Sequence, residues 1–281
     1  MKRARKDAIK DAINDKRVRS HPLIVMAAIA TLVILLAPLA VVVAISFTSN
    51  AMLKFPPQGF SLRWYLALAD NLEFGRAIVT SLQLAVATAI ASMLLGASAA
   101  VGLRAHRFPG RDALESFLLS PLMLPQLVLA IALLMYFSRL GLRASFLGMW
   151  LGHVVVTVPY VIRMVLVSLA RVDPNIERAA RIAGAGPVRV FFQITLRLLM
   201  PGVAAGTCFA FIMSFDNLVV SLFLSGPRMK TLPVEIYGYL EYADDPLLAA
   251  VSSVVIVGIV ILLIVMERTV GFTRALVQQG A

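Results

Sequence analysis

The chain has 281 residues, of which 60% are hydrophobic and only 15% are charged. Because an ordinary soluble domain has about 25% charged residues, this composition excludes a soluble enzyme, a disordered protein and a nucleic-acid-binding domain. The formal net charge is nevertheless +11, and a basic excess in so apolar a chain is typical of a membrane protein whose lysines and arginines lie on one side.

The chain begins with a basic segment, residues 1–22, which carries eight of the 26 Lys and Arg residues. No aromatic residues lie between these charges, so the segment favours contact with anionic lipid headgroups and not with nucleic acid. The apolar stretch that follows, residues 23–47, is longer than the ~7–15 residues of a secretory signal core. It therefore predicts an uncleaved first membrane span.

Six apolar stretches are long enough to cross a bilayer, whose core of ~30 Å needs about 20 helical residues. Together they predict an all-α integral membrane protein. The stretches lie at about 23–47, 77–103, 114–138, 146–170, 201–224 and 247–266.

The distribution of basic residues predicts the orientation of these spans. With the N-terminus inside, the inner segments carry 18 Lys and Arg residues and the outer segments carry 7. The positive-inside rule then places both ends of the chain in the cytoplasm. Residues 1–22 and 267–281 are thus predicted to be cytoplasmic ends of one transmembrane domain at 23–266.

Two prolines interrupt the third span, and a third lies in the fourth. Pro121 and Pro125 each remove a backbone donor, which kinks or breaks a helix. They predict either a gate or a static bend, and the residues alone favour neither. Pro159 predicts a kink in the fourth span, where His153 is expected to form a polar contact between helices.

The longest inner segment, residues 171–200, predicts a helix–turn–helix. Asp173 is a good N-cap and Pro174 is a good first helical residue, so a short helix is expected to begin there. Gly184 can end it, because glycine adopts left-handed backbone angles at little cost. A second helix from Pro187 is expected to lead into the fifth span.

The first helix of this segment has a face without protruding side chains. Ala179 and Ala180 form the face, and the charges of Glu177, Arg178 and Arg181 border it. Small side chains would let a groove of another protein approach closely. An ordinary amphipathic connector is the alternative that the residues alone leave open.

The fifth span contains a polar group toward its outer third. Asp216 lies well inside the span, and a charged side chain in lipid costs several kcal/mol, so it is expected to face protein or water. Ser214, Asn217 and Ser221 add polarity, and the group is predicted to be a step in a translocation pathway that attracts a cation. A buried hydrogen-bond site between helices is the alternative.

The sequence shows no energy source of its own. A Walker A loop needs a lysine directly after glycine to hold phosphates, and none of the six lysines follows a glycine. One cysteine and three widely spaced histidines support no metal site. We therefore expect a chain with no catalytic residue, metal or cofactor, and not an enzyme.

The inner helix–turn–helix resembles a known motif. Ala179-Ala180 followed after three residues by Gly184-Ala185 resembles the EAA loop of ABC importer permeases, which are six-span membrane proteins. The Glu of that motif falls on Arg178, and Glu177 stands one place earlier. Four further segments resemble permeases of the spermidine/putrescine group, and in particular their second permease. These segments are residues 46–65, 80–114, 118–134 and 214–242.

The resemblance implies a transport subunit in the bacterial cytoplasmic (inner) membrane. A second homologous permease would complete the pathway, a cytoplasmic ATPase dimer would bind ATP and Mg, and an extracytoplasmic binding protein would deliver the solute. A polyamine is the implied substrate, with an opine, an amino-acid derivative or ferric iron as alternatives. The implied ATPase-coupling residues are Glu177, Arg178, Ala179, Ala180, Gly184 and Ala185. An autonomous secondary transporter and a membrane enzyme are the competing classes.

Overall fold

The computed structural model of the chain describes residues 22–105, 108–170 and 172–270. The predictions for the basic segment before residue 22 and for the tail after residue 270 lie outside the described residues. Within those three ranges the chain is helical and has no β-strand. The helices are α1 (Pro22–Ser46), α2 (Arg63–Asp70), α3 (Leu72–Ala105), α4 (Arg111–Leu119), α5 (Gln126–Arg139), α6 (Phe146–Ala170), α7 (Pro174–Ile182), α8 (Pro187–Val190), α9 (Leu196–Phe215), α10 (Leu218–Leu224), α11 (Leu232–Leu240) and α12 (Leu247–Val270).

Five helical segments in the described ranges are long and apolar enough to cross a membrane. They are α1, α3, α6, the α8–α9 segment and α12. A π-helical turn, Phe191–Thr195, joins α8 to α9, so that one helix runs over Pro187–Phe215 and is called the fifth membrane helix below. The pair α4 and α5 supplies a sixth span if the two are counted as one broken crossing.

The third span is bent far more sharply than a proline kink. A 3₁₀ turn, Ser120–Leu122, follows α4, and the two halves of the pair meet at 99°. Pro125 is the N-cap of α5, where its missing amide donor costs no helical bond. Pro121 lies inside the 3₁₀ turn. Both prolines therefore stand at the break that the sequence predicts.

The fifth membrane helix begins at Pro187, where the helix leading into the fifth span is predicted to start. It ends at Phe215, before the predicted limit of the span at 201–224. Pro201 lies inside α9 and not at its start. The apolar stretch of the sequence continues to residue 224, but the helix ends earlier because the side chain of Asn217 caps a separate helix, α10.

The centre of the molecule is a three-helix contact between α3, α6 and α9. Glycines bring the backbones together: a Cβ added at Gly96 would lie 2.7 Å from Cβ of Val161, and one at Gly206 would lie 3.1 Å from Cα of Val161. Val161 itself is fully buried between them. Small residues at such crossings let membrane helices pack by close van der Waals contact.

The first helix stands apart from this core. Every residue of α1 from position 22 to position 40 is exposed in the isolated chain. The helix packs against α12, and Oγ of Ser46 at its end lies 2.7 Å from the Tyr65 hydroxyl of α2. Its apolar surface therefore needs lipid or another membrane protein as its environment.

Candidate coupling and translocation sites

The helix predicted after Asp173 is confirmed. The Asp173 carboxylate accepts a hydrogen bond from the Asn175 amide at 2.9 Å, and α7 begins at Pro174. After Ile182 the chain turns back through Gly184, whose φ is +88°. The Ala185 amide donates to the Ala180 carbonyl at 3.0 Å, which closes the turn. Local residue preferences are sufficient to form this element.

The outward face of α7 carries both small and large apolar side chains. Ala179 and Gly184 are exposed, and Ala180 and Ala185 are partly exposed. Ile182, a large apolar residue outside the predicted coupling set, is 88% exposed. Arg178 and Arg181 are also exposed, and both line a cavity between α7 and the ends of α3 and α6. An exposed apolar tip ringed by charge is typical of a surface that contacts another protein.

Glu177 does not belong to that outward face. Its Oε1 atom accepts a hydrogen bond from Oγ1 of Thr195 at 2.9 Å. Thr195 is buried at the end of the π-helical turn, so this bond joins α7 to the fifth membrane helix across the Gly184 turn. No local sequence pattern links Thr195 to a residue eighteen positions earlier, so its contact with Glu177 could not be predicted.

A cavity of about 740 Å³ lies between α7 and the ends of α3 and α6. Arg104 stands at its wall and donates to the carbonyls of Leu169 and Val172, so that a guanidinium caps the C-terminal end of α6. This contact fixes the start of the segment that carries α7.

The predicted pathway residues lie around a break between α9 and α10. Asp216 is the residue that follows α9, and its side chain is exposed. Asn217 is 7% exposed, and its Oδ1 accepts a hydrogen bond from the Val220 amide at 2.9 Å. The break is therefore a capped helix end followed directly by a new helix start.

Ser214 and Ser221 lie on opposite sides of this break and contact the same imidazole. Nδ1 of His153 is 2.8 Å from Oγ of Ser214, and Nε2 is 3.1 Å from Oγ of Ser221. All three side chains are buried, and His153 has no exposed surface. The polar contact predicted for His153 is confirmed. The burial of Ser214 and Ser221 and their contacts with His153 favour the alternative, a hydrogen-bond site between helices. Asn217 instead caps α10, and Asp216 is the exposed member of the group.

The network continues from His153 to α3. Oγ1 of Thr157 donates to the His153 carbonyl at 2.8 Å and lies 2.7 Å from Oγ of Ser92. These partners are separated by 61 to 68 residues, except for the bond within α6. Sequence inspection has no signal for such pairs.

Residues 225–246 form one of the outer segments of the charge count, and contacts of charged side chains hold this segment in place. Nζ of Lys230 is 3.0 Å from Oε2 of Glu235, and this bond raises the pKa of the Lys230 ammonium. The Tyr239 hydroxyl donates to Asp245 at 2.7 Å. Burial, together with that carboxylate, raises the pKa of Tyr239 to about 12.

The described helices form a bundle of membrane-length segments. A helix–turn protrudes before the fifth membrane helix, and a polar break lies at that helix's end. This arrangement is that of a multi-span membrane permease. Residues 92–270 match the family described as binding-protein-dependent transport system inner membrane component. The chain belongs to this family, and it is accordingly a transport subunit of the inner membrane.

Two relatives in Escherichia coli strain K12 match most of the chain. The spermidine/putrescine transport system permease protein PotC is 33% identical over 220 residues, which cover 78% of this chain and 83% of PotC. The putrescine transport system permease protein PotI is 34% identical over 235 residues, which cover 80% of this chain and 83% of PotI. The molybdenum transport system permease protein ModB of Mycobacterium bovis is 33% identical over 69% of this chain and 82% of ModB.

Solved structures share the fold at low sequence identity. A bacterial ABC transporter involved in the import of the acidic polysaccharide alginate superposes with a TM-score of 0.68 at 16% identity, over 94% of this chain and 98% of that chain. An amino acid ABC transporter with histidines gives a TM-score of 0.56 at 14% identity, over 75% of this chain and 96% of that chain. The helices described above therefore form an ABC importer permease fold.

Proposed function

We propose that this permease imports a polyamine such as spermidine or putrescine. The observation that carries the proposal is the match to two polyamine permeases over more than three quarters of the chain. Asp216 supports it, because an exposed carboxylate at the break that ends the fifth membrane helix attracts an organic cation. An anionic solute would instead be repelled by this carboxylate.

The proposed mechanism is alternating access driven by a separate ATPase. The exposed tip of α7 docks on a cytoplasmic ATPase dimer, which binds ATP and Mg, and a second homologous permease completes the pathway. A binding protein delivers the solute from outside. The Glu177–Thr195 bond supports the coupling role, because it lets a movement of α7 reach the fifth membrane helix directly.

Uptake by the reconstituted complex tests the substrate class. Vesicles that contain this permease, its partner permease and the ATPase are supplied with the binding protein and with labelled putrescine, spermidine or molybdate. We expect ATP-dependent uptake of the two polyamines. Uptake of molybdate without polyamine uptake would refute the proposal.

The Asp216→Asn variant tests the pathway. At about 4 Å in water two unit charges attract by about 1 kcal/mol, so we expect polyamine uptake to fall about fivefold while assembly is unchanged. Asp70→Asn is the matched control, because Asp70 is also exposed but ends the short helix α2. Normal uptake by Asp216→Asn, or equal losses in the two variants, would remove Asp216 from the pathway.

A further inference from the structure

The buried imidazole of His153 bridges the two sides of the helix break that carries Asp216. Ser214 lies in the last turn of α9, and Ser221 lies in α10. The Asp216 amide still donates to the Ile212 carbonyl at 3.0 Å, so α9 ends at this residue. His153 thus contacts the helix before the break and the helix after it, from a third helix, α6.

We propose that His153 is a positioning residue that clasps this break and thereby holds Asp216 at the surface of the pathway. The proposal rests on the proposed pathway role of Asp216. His153 itself does not contact the solute, because its side chain has no exposed surface.

The chemistry of the clasp suits an imidazole. A neutral imidazole donates from one ring nitrogen and accepts at the other, and a serine hydroxyl can take either role. Both ring nitrogens are therefore satisfied by the two hydroxyls on α9 and α10. Loss of either hydroxyl leaves a buried ring nitrogen without its partner, which disfavours the clasped arrangement.

The backbone of α6 is shaped for the clasp. A Cβ added at Gly152, the residue before His153, would lie 2.4 Å from Cδ1 of Leu224 and 3.4 Å from Cγ1 of Val220. Glycine at this position lets α10 lie close against α6. That approach brings Ser221 within hydrogen-bond distance of His153.

Thr157 supplies a matched control within the same network. It is as buried as His153 and lies one turn further along α6, but its side chain joins α6 to α3 and not to the break. Thr157→Val replaces a buried hydroxyl by a methyl group of similar size. It leaves the contacts of both His153 ring nitrogens in place.

The experiment reads the exposure of position 216 directly. The purified complex carries Asp216→Cys in a Cys208→Ala background, and a charged methanethiosulfonate reagent labels residue 216. In His153→Leu the two hydrogen bonds that hold the break are lost, and we expect the labelling rate at position 216 to fall about tenfold. His153→Gln, whose amide can both donate and accept, should restore the rate, and Thr157→Val should leave it within about twofold.

Transport gives the second measurement, with Asp216 and Cys208 intact. His153→Leu should raise the KM for putrescine uptake, whereas Thr157→Val should not. Unchanged labelling in His153→Leu, or equal changes in His153→Leu and Thr157→Val, would overturn the clasp. If His153→Leu fails to assemble, Ser214→Ala and Ser221→Ala remove one hydroxyl on each side of the break, and unchanged labelling in both would overturn it.

Failure of the clasp and failure of the pathway give different results. If Asp216→Asn transports normally while the labelling rate at position 216 responds to His153→Leu, the clasp stands and the pathway role of Asp216 is wrong. If Asp216→Asn lowers uptake while labelling does not respond, the pathway stands and the clasp is wrong.

Discussion

The carboxylates of this chain differ in whether they accept hydrogen bonds from the surrounding structure. Those of Asp173 and Asp245 accept hydrogen bonds from backbone amides two residues further along, at 2.9 and 3.0 Å. Within the described residues, by contrast, the Asp216 carboxylate has no hydrogen-bond or ion-pair partner. A charge that stabilises no local structure remains available to a solute.

The Tyr239–Asp245 bond gives a pH-dependent prediction at the same scale. Tyr239→Phe should lower the free energy of unfolding by about 1 kcal/mol near pH 8, because it removes a hydrogen bond to a charged group. The raised pKa of about 12 means that the folded protein holds the phenol proton more tightly than the unfolded chain does. This stabilisation is present below about pH 10 and is lost as the pH rises toward 12.

Thermal unfolding of the detergent-solubilised protein checks this prediction. The difference between the parent protein and Tyr239→Phe should shrink between pH 10 and pH 12. Tyr242→Phe is the control, since Tyr242 is 87% exposed. A difference that is constant with pH would show that the hydrogen bond does not control the titration.

The end of α7 depends on the backbone conformation of Gly184. Gly184 has a φ of +88° and open space around the position of a Cβ, so a substitution there is strained by its backbone and not by a collision. Gly184→Val should cost roughly 1–2 kcal/mol locally and distort the turn. We expect substrate-stimulated ATPase activity and uptake to fall together.

Gly186→Val is the control for this turn. Gly186 also has open space, but its φ of −66° suits any residue.

Ala180→Trp should lower coupled activity, because the large side chain would sterically block the proposed docking face. Full coupled transport by Gly184→Val and Ala180→Trp would show that this tip is not where the ATPase acts.

The link between α7 and the fifth membrane helix can be broken separately. Thr195→Val removes the donor to Glu177 and keeps the side-chain shape. If this bond transmits the movement of α7, uptake per ATP hydrolysed should fall while ATP hydrolysis continues. Thr207→Val is the control, because the Thr207 hydroxyl bonds only within α9, to the Val203 carbonyl at 2.8 Å. Equal ratios in the two variants would exclude a special role for Thr195.

These elements also show what sequence can and cannot predict. Asp173, Pro174 and Gly184 act on their own backbone neighbourhood, and so the limits of α7 could be predicted from residue preferences. The end of the fifth membrane helix could not be placed by hydropathy, because residues 216 and 217 interrupt an apolar stretch that continues beyond them. The partners of His153 depend on how α6 packs against α9 and α10, which no local pattern encodes.

Several helices of the described residues expose apolar side chains, and the surface of α1 bears on assembly. Residues 22 to 40 of α1 are exposed and strongly apolar in the isolated chain. These exposed apolar residues are available for contact with lipid or with a second subunit. The expected second permease is therefore compatible with the packing of this chain.

The orientation of the whole molecule in the membrane is the remaining prediction. The charge count of 18 against 7 favours a cytoplasmic location for α7 and the π-helical turn, and an external location for the segment around α11. Gln193 lies in the π-helical turn and Tyr242 lies just after α11, and both are exposed. In a Cys208→Ala background, we expect a membrane-impermeant thiol reagent added to intact cells to label Tyr242→Cys and not Gln193→Cys. Both should be labelled once the membrane is permeabilised, which controls for reactivity. Labelling of Gln193→Cys alone in intact cells would reverse the topology, and would place the proposed ATPase contact on the wrong side of the membrane for ATP.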